Sequence, residues 1–242
     1  MAVKVGRPHK RARGRPKMFD RSIALNQAMK LFWDRGYAGT SFDDLIAVMG
    51  ISPSSFYNAF GSKEHLYQEA TEAYVAQSSE WFTGELESVT DTKTAFYQLL
   101  NAAAREFTRD DLPSGCMISL ACTHVPPALS AVREMMAGYR YGAMAAMADR
   151  IQRGIAEGDV PKGTNVQALA AFYNALSRGM AVLARDGATR DDLLEIVEIG
   201  MRAWPPAPRD AARGPKPDRI NLQPRGTGKG TSVRAARRPS RT

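Results

Sequence analysis

The segment "TSFDDLIAVMGISPSSFYNAFGSKEHLY" (residues 40–67) is the most informative part of this 242-residue chain. In its first part, apolar residues recur with the period of one helix face. These residues are Phe42, Leu45, Ile46 and Met49. Gly50 interrupts this helix, and Pro53, a residue tolerated in a first helical turn, opens a second helix that ends near Phe60. Two short helices joined by a tight turn predict a helix-turn-helix unit.

The second helix of this unit has the composition that a DNA major groove requires. A groove about 12 Å wide admits a helix most easily when the leading face carries short side chains. Here that face carries Ser52, Ser54 and Ser55. Phe56 and Phe60, four residues apart, would hold the helix against its supports. Tyr57 and Asn58 fall on other faces, where a hydroxyl and an amide can reach phosphates or base edges.

The segment from about residue 20 to 70 closely resembles the DNA-binding domain of TetR/AcrR-type repressors. "YNAFGSKEHLY" (57–67) is similar to the motif Tyr-x-x-Phe-x-x-Lys-x-x-Leu that closes that domain. Upstream, "FWDRGYAGTSFDDLIAVMGIS" (32–52) matches its Phe-x-x-x-Gly-(Tyr/Phe) element. Residues 90–204 fit the family in the number, length and order of helices.

The resemblance implies a role for each matching position. The phosphate contacts would come from Thr40, Tyr57 and Lys63. The residues facing bases would be Ser52, Pro53, Ser54 and Asn58, with Ser41 beside them as a further DNA contact. An ordinary core aromatic is the alternative for Tyr57, and a plain surface charge is the alternative for Lys63.

Helical periodicity also dominates outside this stretch and predicts an all-α fold with about nine helices. Asp20 is a suitable N-cap for a helix that runs to about Arg35, where Gly36 can end it. Thr40 or Ser41 would cap the next helix. Further helical patterns lie near residues 93–108, 114–123, 127–157, 165–186 and 190–203.

Composition divides the chain into four parts. We expect a basic disordered arm at 1–18, the DNA-binding domain at 19–70, a helical ligand-binding and dimerisation domain at 71–204, and a disordered basic tail at 205–242. Residues 1–17 hold seven Lys or Arg and no acid, and residues 205–242 hold ten against two acids. The total of +8 therefore leaves −7 on residues 18–204, so an acidic body carries two basic tails.

The N-terminal arm contains Gly-Arg-Pro twice, in "GRPHK" (6–10) and "RGRPK" (13–17). The second copy is similar to the core of an AT-hook, in which extended backbone lets arginines such as Arg13 and Arg15 enter a narrow A·T-rich minor groove. Unselective electrostatic anchoring is the alternative. For the C-terminal tail, non-specific DNA affinity, RNA binding and no role at all stay open.

The resemblance implies a homodimer built on the last two helices. Candidate interface residues on the first of these are Phe172, Leu176, Met180 and Leu183. Those on the second are Leu194, Val197 and Met201. The alternative for each is a place in the protomer's own core.

A pocket for an unknown small-molecule effector is also implied for this half. Its candidate lining is Met117, Tyr139, Tyr141, Met144, Met147, Phe172 and Tyr173. Each of these residues has a place in the core as its alternative.

Cys116 and Cys122 are the two cysteines, and both lie in "GCMISLACTHV" (115–125) with Met117 and His124. These soft ligands suit copper(I) or a thiol sensor. However, a spacing of six places the cysteines about 240° apart around a helix. We therefore interpret both as small buried hydrophobes and predict no metal and no cofactor.

Three classes of function compete. The favoured one is a dimeric repressor that binds double-stranded DNA at a palindromic operator and is released by an effector. The alternative is an architectural DNA-binding protein that uses its basic tails without an inducer. An enzyme is disfavoured, because no nucleophile elbow, paired-histidine metal motif or nucleotide loop is present. Two cysteines, and no long apolar run, indicate a cytoplasmic protein without membrane contact.

Overall fold

The computed structural model describes residues 20–87, 91–120 and 130–206. Within these ranges the chain forms nine α-helices and no strand, which confirms the predicted all-α class. The helices are α1 Arg21–Arg35, α2 Phe42–Met49, α3 Pro53–Phe60, α4 Lys63–Glu87, α5 Thr92–Phe107, α6 Met117–Leu120, α7 Ser130–Glu157, α8 Val166–Arg185 and α9 Arg190–Met201. None of these helices is both long enough and apolar enough to cross a membrane.

The ends of the first two helices lie where the sequence predicts them. Asp20 caps α1 by accepting from the backbone N–H of Ser22 at 2.9 Å. Ser41 rather than Thr40 caps α2: its hydroxyl accepts from the backbone N–H of Asp44, whose carboxylate in turn accepts from the N–H of Ser41. This reciprocal pair satisfies two amides that the helix itself leaves open. Gly50 ends α2 in the left-handed region at φ 63°, which favours glycine.

The apolar side chains form two clusters. The first lies between α1, α2, α3 and the start of α4, and it extends to α6 and α7. Its large, fully buried members include Met29, Phe32, Phe56, Phe60 and Tyr67. The second lies between α5, α8 and α9 with parts of α4 and α7, and includes Phe96, Leu99, Tyr173 and Trp204. Half-buried Cys116 packs against both clusters.

Helix α4 runs through the predicted domain boundary at residue 70. Its first half packs in the first cluster through Leu66 and Tyr74, and Leu86 near its end packs in the second. The division into two domains therefore stays a proposal. Around the cysteines, α6 begins at Met117 and not at the predicted residue 114. Residues 121–129, with Cys122 and His124, lie outside the described ranges.

A buried polar brace joins α4, α5, α7 and the loop after α7. Arg150 is almost fully buried, and its Nε donates to the carbonyl oxygen of Leu86 at 3.0 Å while Nη1 donates to the hydroxyl of Thr92. Asp159 accepts from the Thr92 backbone N–H at 2.6 Å. Gly154 lies against this brace, where a Cβ would meet the Thr92 Oγ1 at 2.1 Å. The brace thus fixes the geometry of three helices around the second cluster.

Candidate functional site

Helix α3 presents a row of polar side chains to solvent. Ser52, Pro53, Ser54, Tyr57 and Asn58 are all exposed. Ser52 caps the helix by accepting from the backbone N–H of Ser55, and its hydroxyl also lies 3.0 Å from that of Ser54. The row lies on one side of the helix and its side chains are short except for Tyr57. Such a surface is suited to entry into a major groove.

The opposite side of α3 is fixed by packing and by one arginine. Phe56 and Phe60 are fully buried, in agreement with their predicted anchoring role. Arg21 of α1 donates to the carbonyl oxygen of Ala59 at 3.2 Å, pairs with Glu69 at 2.6 Å and lies 4.6 Å from the centre of the Phe60 ring. This clasp of α3 between α1 and α4 was not predicted, because no local pattern marks Arg21 as more than a surface charge.

Tyr57 is 57% exposed and is therefore not the core aromatic of the alternative interpretation. Its ring stacks on that of Phe42 in α2, with centroids 5.3 Å apart and planes 26° from parallel. Phe42 in turn meets Phe56 edge to face at 4.8 Å. The stack orients the tyrosine on the exposed side of the helix-turn-helix unit, where its hydroxyl is accessible to a phosphate.

Lys63, the first residue of α4, is held beside α1 by Tyr37. Its Nζ lies 4.2 Å from the centre of the Tyr37 ring, and the Tyr37 hydroxyl donates to Glu64 at 2.8 Å. Partial burial lowers the pKa of the Lys63 ammonium from its ordinary value. The hydrogen bond from the Tyr37 hydroxyl lowers the pKa of the Glu64 carboxyl. The lysine is thus positioned by contacts rather than being a free surface charge.

Thr40 and Ser41 differ in their access to solvent. Thr40 is only 1% exposed and its hydroxyl donates to the carbonyl oxygen of Gly36 at 2.7 Å, so in this conformation its side chain is directed into the protein. The phosphate contact predicted for Thr40 gains no support from that placement. Ser41 is exposed at the start of α2. Arg13 and Arg15 lie outside the described residues.

A cavity of about 350 Å³ opens among α4, α5, α6, α7 and α8. Among the residues that line it are Tyr74, Trp81, Phe107, Ile118, Tyr139 and Met147. Tyr139 and Met147 thus lie where the sequence predicts pocket residues. The Tyr74 hydroxyl donates to the Cys116 sulfur at 3.2 Å, so that both side chains form part of the same wall.

The other five predicted pocket residues do not line this cavity, and one of them, Tyr141, is exposed on α7. Met117 and Tyr173 are fully buried in the two clusters, and Tyr173 packs between Phe96 and Trp204. Met144 packs against the second cluster. Phe172 is 43% exposed, because it lies on the side of α8 opposite to the cavity-lining Asn174 and Ser177. The sequence alone does not show which face of α8 meets the cavity.

Three of the residues predicted for the dimer interface lie in the core of the protomer instead. Met180, Val197 and Met201 are buried inside the protomer, so they are not available to a partner subunit. The apolar residues that α8 and α9 leave exposed are Phe172, Val182, Leu183 and Ile199, with Leu176 and Leu194 half-buried. Exposed Ala175 and Gly179 lie between them on α8. Large apolar groups flanking small ones form a face that another helix can approach closely.

No group of three or more potential His, Cys, Asp or Glu ligands occurs among the described residues.

Residues 24–70 match the family model described as "Bacterial regulatory proteins, tetR family". The chain is 32% identical to the HTH-type transcriptional repressor ComR of Escherichia coli (strain K12) over 199 residues, which cover 81% of this chain and 94% of ComR. It is 26% identical to the HTH-type transcriptional repressor BdcR of the same organism, over 78% of this chain and 91% of BdcR.

A solved structure extends the likeness to nearly the whole described chain. It contains a cysteine mutant of the TetR family transcriptional regulator CifR complexed with 26-bp double-strand operator DNA, and its sequence is 38% identical to this one. The two superpose with a TM-score of 0.76 over 79% of this chain and 100% of that chain. The helix-turn-helix geometry, the family model and these relatives agree: the chain belongs to the TetR family of DNA-binding transcriptional regulators.

Proposed function

We propose that this protein is a homodimeric cytoplasmic repressor that binds a palindromic operator and leaves it when a small-molecule effector occupies the cavity. The observation that carries the proposal is the exposed polar row of α3, held rigidly from behind by Phe56, Phe60 and Arg21. A helix held in this way keeps its base-reading side chains in a fixed register on DNA. Asn58 has the amide that suits an adenine edge.

The exposed apolar face of α8 and α9 supports the dimer. Phe172 and Ile199 are among its most exposed members, at 43% and 64%. Apolar surface of this kind is stabilised when a second copy covers it, and a two-fold axis then relates the two α3 helices. Two recognition helices related in this way select an operator with the same two-fold symmetry.

The basic arm adds contacts outside the major groove in this proposal. Arg13 and Arg15 lie within eight residues of the start of α1 in the sequence, and in this proposal they reach the minor groove that flanks the recognition helix. Residues 205–242 would add sequence-independent attraction to phosphates.

Two contacts support communication between the cavity and the DNA-binding unit. Tyr74 lines the cavity, and its ring meets that of Trp33 in α1 at 4.9 Å. Ile118 of α6 lines the cavity and also packs in the first cluster. A ligand that displaces either side chain therefore acts on the support of α1, and a shift there changes the separation of the two α3 helices. Such a ligand weakens operator binding by its differential affinity for the two arrangements.

Selection from random duplex DNA by the full-length protein, at about 150 mM salt, tests this proposal. A two-fold palindrome among the recovered sequences would support it. Recovery of A·T-rich, asymmetric DNA alone would contradict it and would favour the architectural alternative, in which the two Gly-Arg-Pro copies are the main contacts. Light scattering on the same sample should give the mass of a dimer.

A further inference from the structure

The cavity wall carries positive charge and no carboxylate. Its described lining includes two arginines, Arg140 on α7 and Arg178 on α8, and neither an aspartate nor a glutamate. The surrounding body is acidic, since residues 18–204 carry a net charge of −7. A cavity that selects cations would be expected to include a carboxylate, so the distribution of charge favours an anion.

Arg178 lies beside two further hydrogen-bonding groups on the same helix. Asn174, Ser177 and Arg178 are spaced three and four residues apart, which puts them on one side of α8, and all three line the cavity. None of the described carboxylates lies within ion-pair distance of Arg178. A guanidinium with an amide and a hydroxyl alongside can hold both oxygens of a carboxylate.

Arg140 extends the positive wall on the neighbouring helix. Its Nη1 donates to the carbonyl oxygen of Ile118 at 3.3 Å, which holds the side chain along the cavity rather than out in solvent. Glu106, an acid on the same helix as the lining residue Phe107, is paired with Arg109 at 3.1 Å. Arg109 is shared with Asp111, at 2.7 Å, and Glu106 itself is not among the described residues that line the cavity.

Beyond these groups the lining combines the hydroxyls of Ser78, Ser79, Thr83 and Ser119 with apolar side chains, among which are flat rings. Trp81 meets Phe82 at 6.0 Å and Phe107 at 6.4 Å, in both cases edge to face. Met147 completes this side of the cavity. These rings provide a surface against which a flat apolar group can pack.

Small residues of α7 provide the space. Gly142, Ala143 and Ala146 line the cavity, and a Cβ added at Gly142 would meet no atom within 4 Å. A volume of about 350 Å³ is within the range of pockets for small organic ligands.

We propose that the effector is a small organic acid: a flat apolar body packs against Trp81 and Phe107, and its carboxylate binds Arg178 with Asn174 and Ser177, while Arg140 adds positive charge. This inference rests on the proposed function, because it names the chemical class of ligand for the same cavity.

Calorimetric titration of the full-length protein with three naphthalene probes tests it. The probes are 1-naphthoic acid, 1-naphthylmethanol and 1-naphthylmethylamine, which share the ring system and differ in charge. We expect the acid to bind at least about tenfold more tightly than the alcohol, which is the effect of one charge-assisted hydrogen bond. The amine should bind most weakly of the three.

Variants locate the effect in the cavity. Arg178→Met should reduce the affinity for the acid to about that of the alcohol and leave the alcohol unchanged, and Arg140→Met should reduce it less. Arg190→Met removes an exposed arginine outside the cavity and is the matched control. Gly142→Leu should prevent binding of both probes by filling the space, with thermal unfolding showing that each variant is folded.

Equal or tighter binding of the alcohol or the amine would overturn the inference, and so would acid binding that Arg178→Met and Arg140→Met leave unchanged. Failure of all three probes to bind would also overturn it. The proposed function is tested separately by operator selection without ligand. A neutral compound that releases the protein from a selected palindrome would refute the proposal that the effector is an acid, but it would agree with the proposed repressor function. Failure to select any palindrome would refute the proposed repressor function, whatever the cavity binds.

Discussion

The guanidinium of Arg185 pairs with the carboxylate of Asp34 at 3.0 Å and also donates to its backbone carbonyl oxygen. The pair joins the last residue of α8 to the last turn of α1. It therefore links α8, which carries part of the exposed apolar face, directly to the helix that supports α3.

We expect this link to contribute modestly to stability, because Asp34 is about half exposed and solvent screens exposed ion pairs. A double-mutant cycle with Asp34→Asn and Arg185→Met should give a coupling energy below about 1 kcal/mol, measured by urea unfolding. High salt should reduce it further. A coupling that exceeds this value or is insensitive to salt would show that the pair acts as a buried one.

Substitutions in the exposed row of α3 should have different effects on the affinity for DNA and on the preference for particular bases. Tyr57→Phe should weaken binding to every DNA sequence, because it removes a hydroxyl placed for phosphate while the ring keeps its stack on Phe42. Asn58→Ala should in addition flatten the preference at one operator position, at a cost of about 1–3 kcal/mol in discrimination. Fluorescence anisotropy with operator and scrambled duplexes measures both effects.

Gln68→Ala, a substitution of an exposed residue on α4, is the control for these two variants. Unchanged binding by both Tyr57→Phe and Asn58→Ala would contradict the placement of α3 in the groove.

Removal of residues 1–17 should flatten the plot of log affinity against log salt by several units. This segment carries seven Lys or Arg, and each phosphate contact contributes about 0.9 to the slope. The measurement is a salt titration of operator binding by the full-length and the shortened chain. An unaltered slope would show that the arm makes no contact with DNA.

Gly154→Ala should destabilise the fold by about 1–3 kcal/mol, because its Cβ would press on Thr92 and Asp159 within the buried brace. Gly84→Ala, also within a helix, is the matched control. A Cβ at residue 84 would meet no atom within 4 Å, so this substitution should stabilise the fold by about 0.5–1 kcal/mol. The free energies of unfolding of the two variants, measured by chemical denaturation, test this expectation. Equal effects of the two substitutions would contradict the tight packing at residue 154.

The capping box of α2 should make stability depend on pH in acid. Hydrogen bonds from Ser41 lower the pKa of the Asp44 carboxyl below its ordinary value of 3.8. A carboxyl with a depressed pKa stabilises the fold above its unfolded pKa, and this stabilisation is lost as the pH falls through the folded pKa. Asp44→Asn should therefore reduce the loss of thermal stability between about pH 5 and pH 3, and Asp43→Asn is the exposed control. Equal pH dependence of wild type and Asp44→Asn would contradict this role.

The features that the sequence predicts correctly are local ones. Asp20 and Gly50 mark helix ends through backbone chemistry that depends on neighbouring residues only, and Phe56 and Phe60 share one face by spacing alone.

Membership in a family of transcription factors also confirms the expectation that the chain is not an enzyme.

The features that the sequence does not predict depend on packing between distant segments. Met180 and Val182 are equally apolar, yet the first is buried and the second exposed, because the face of α8 that meets α5 is set by the whole bundle. Arg21 reaches α3 and α4 across 38 and 48 residues of sequence, and no pattern near Arg21 indicates those partners. The cavity arises in the same way from five helices, so its arginines are not recognisable in advance.

Sequence-specific operator binding by the full-length protein is tested best by its specificity ratio for DNA at about 150 mM salt. Its dissociation constant for a selected palindrome is compared with that for a scrambled duplex of equal length and composition. We expect a ratio of at least about 10³, which is typical of regulators that read bases. A ratio below about ten would contradict it, because binding would then depend on phosphates and the basic tails alone.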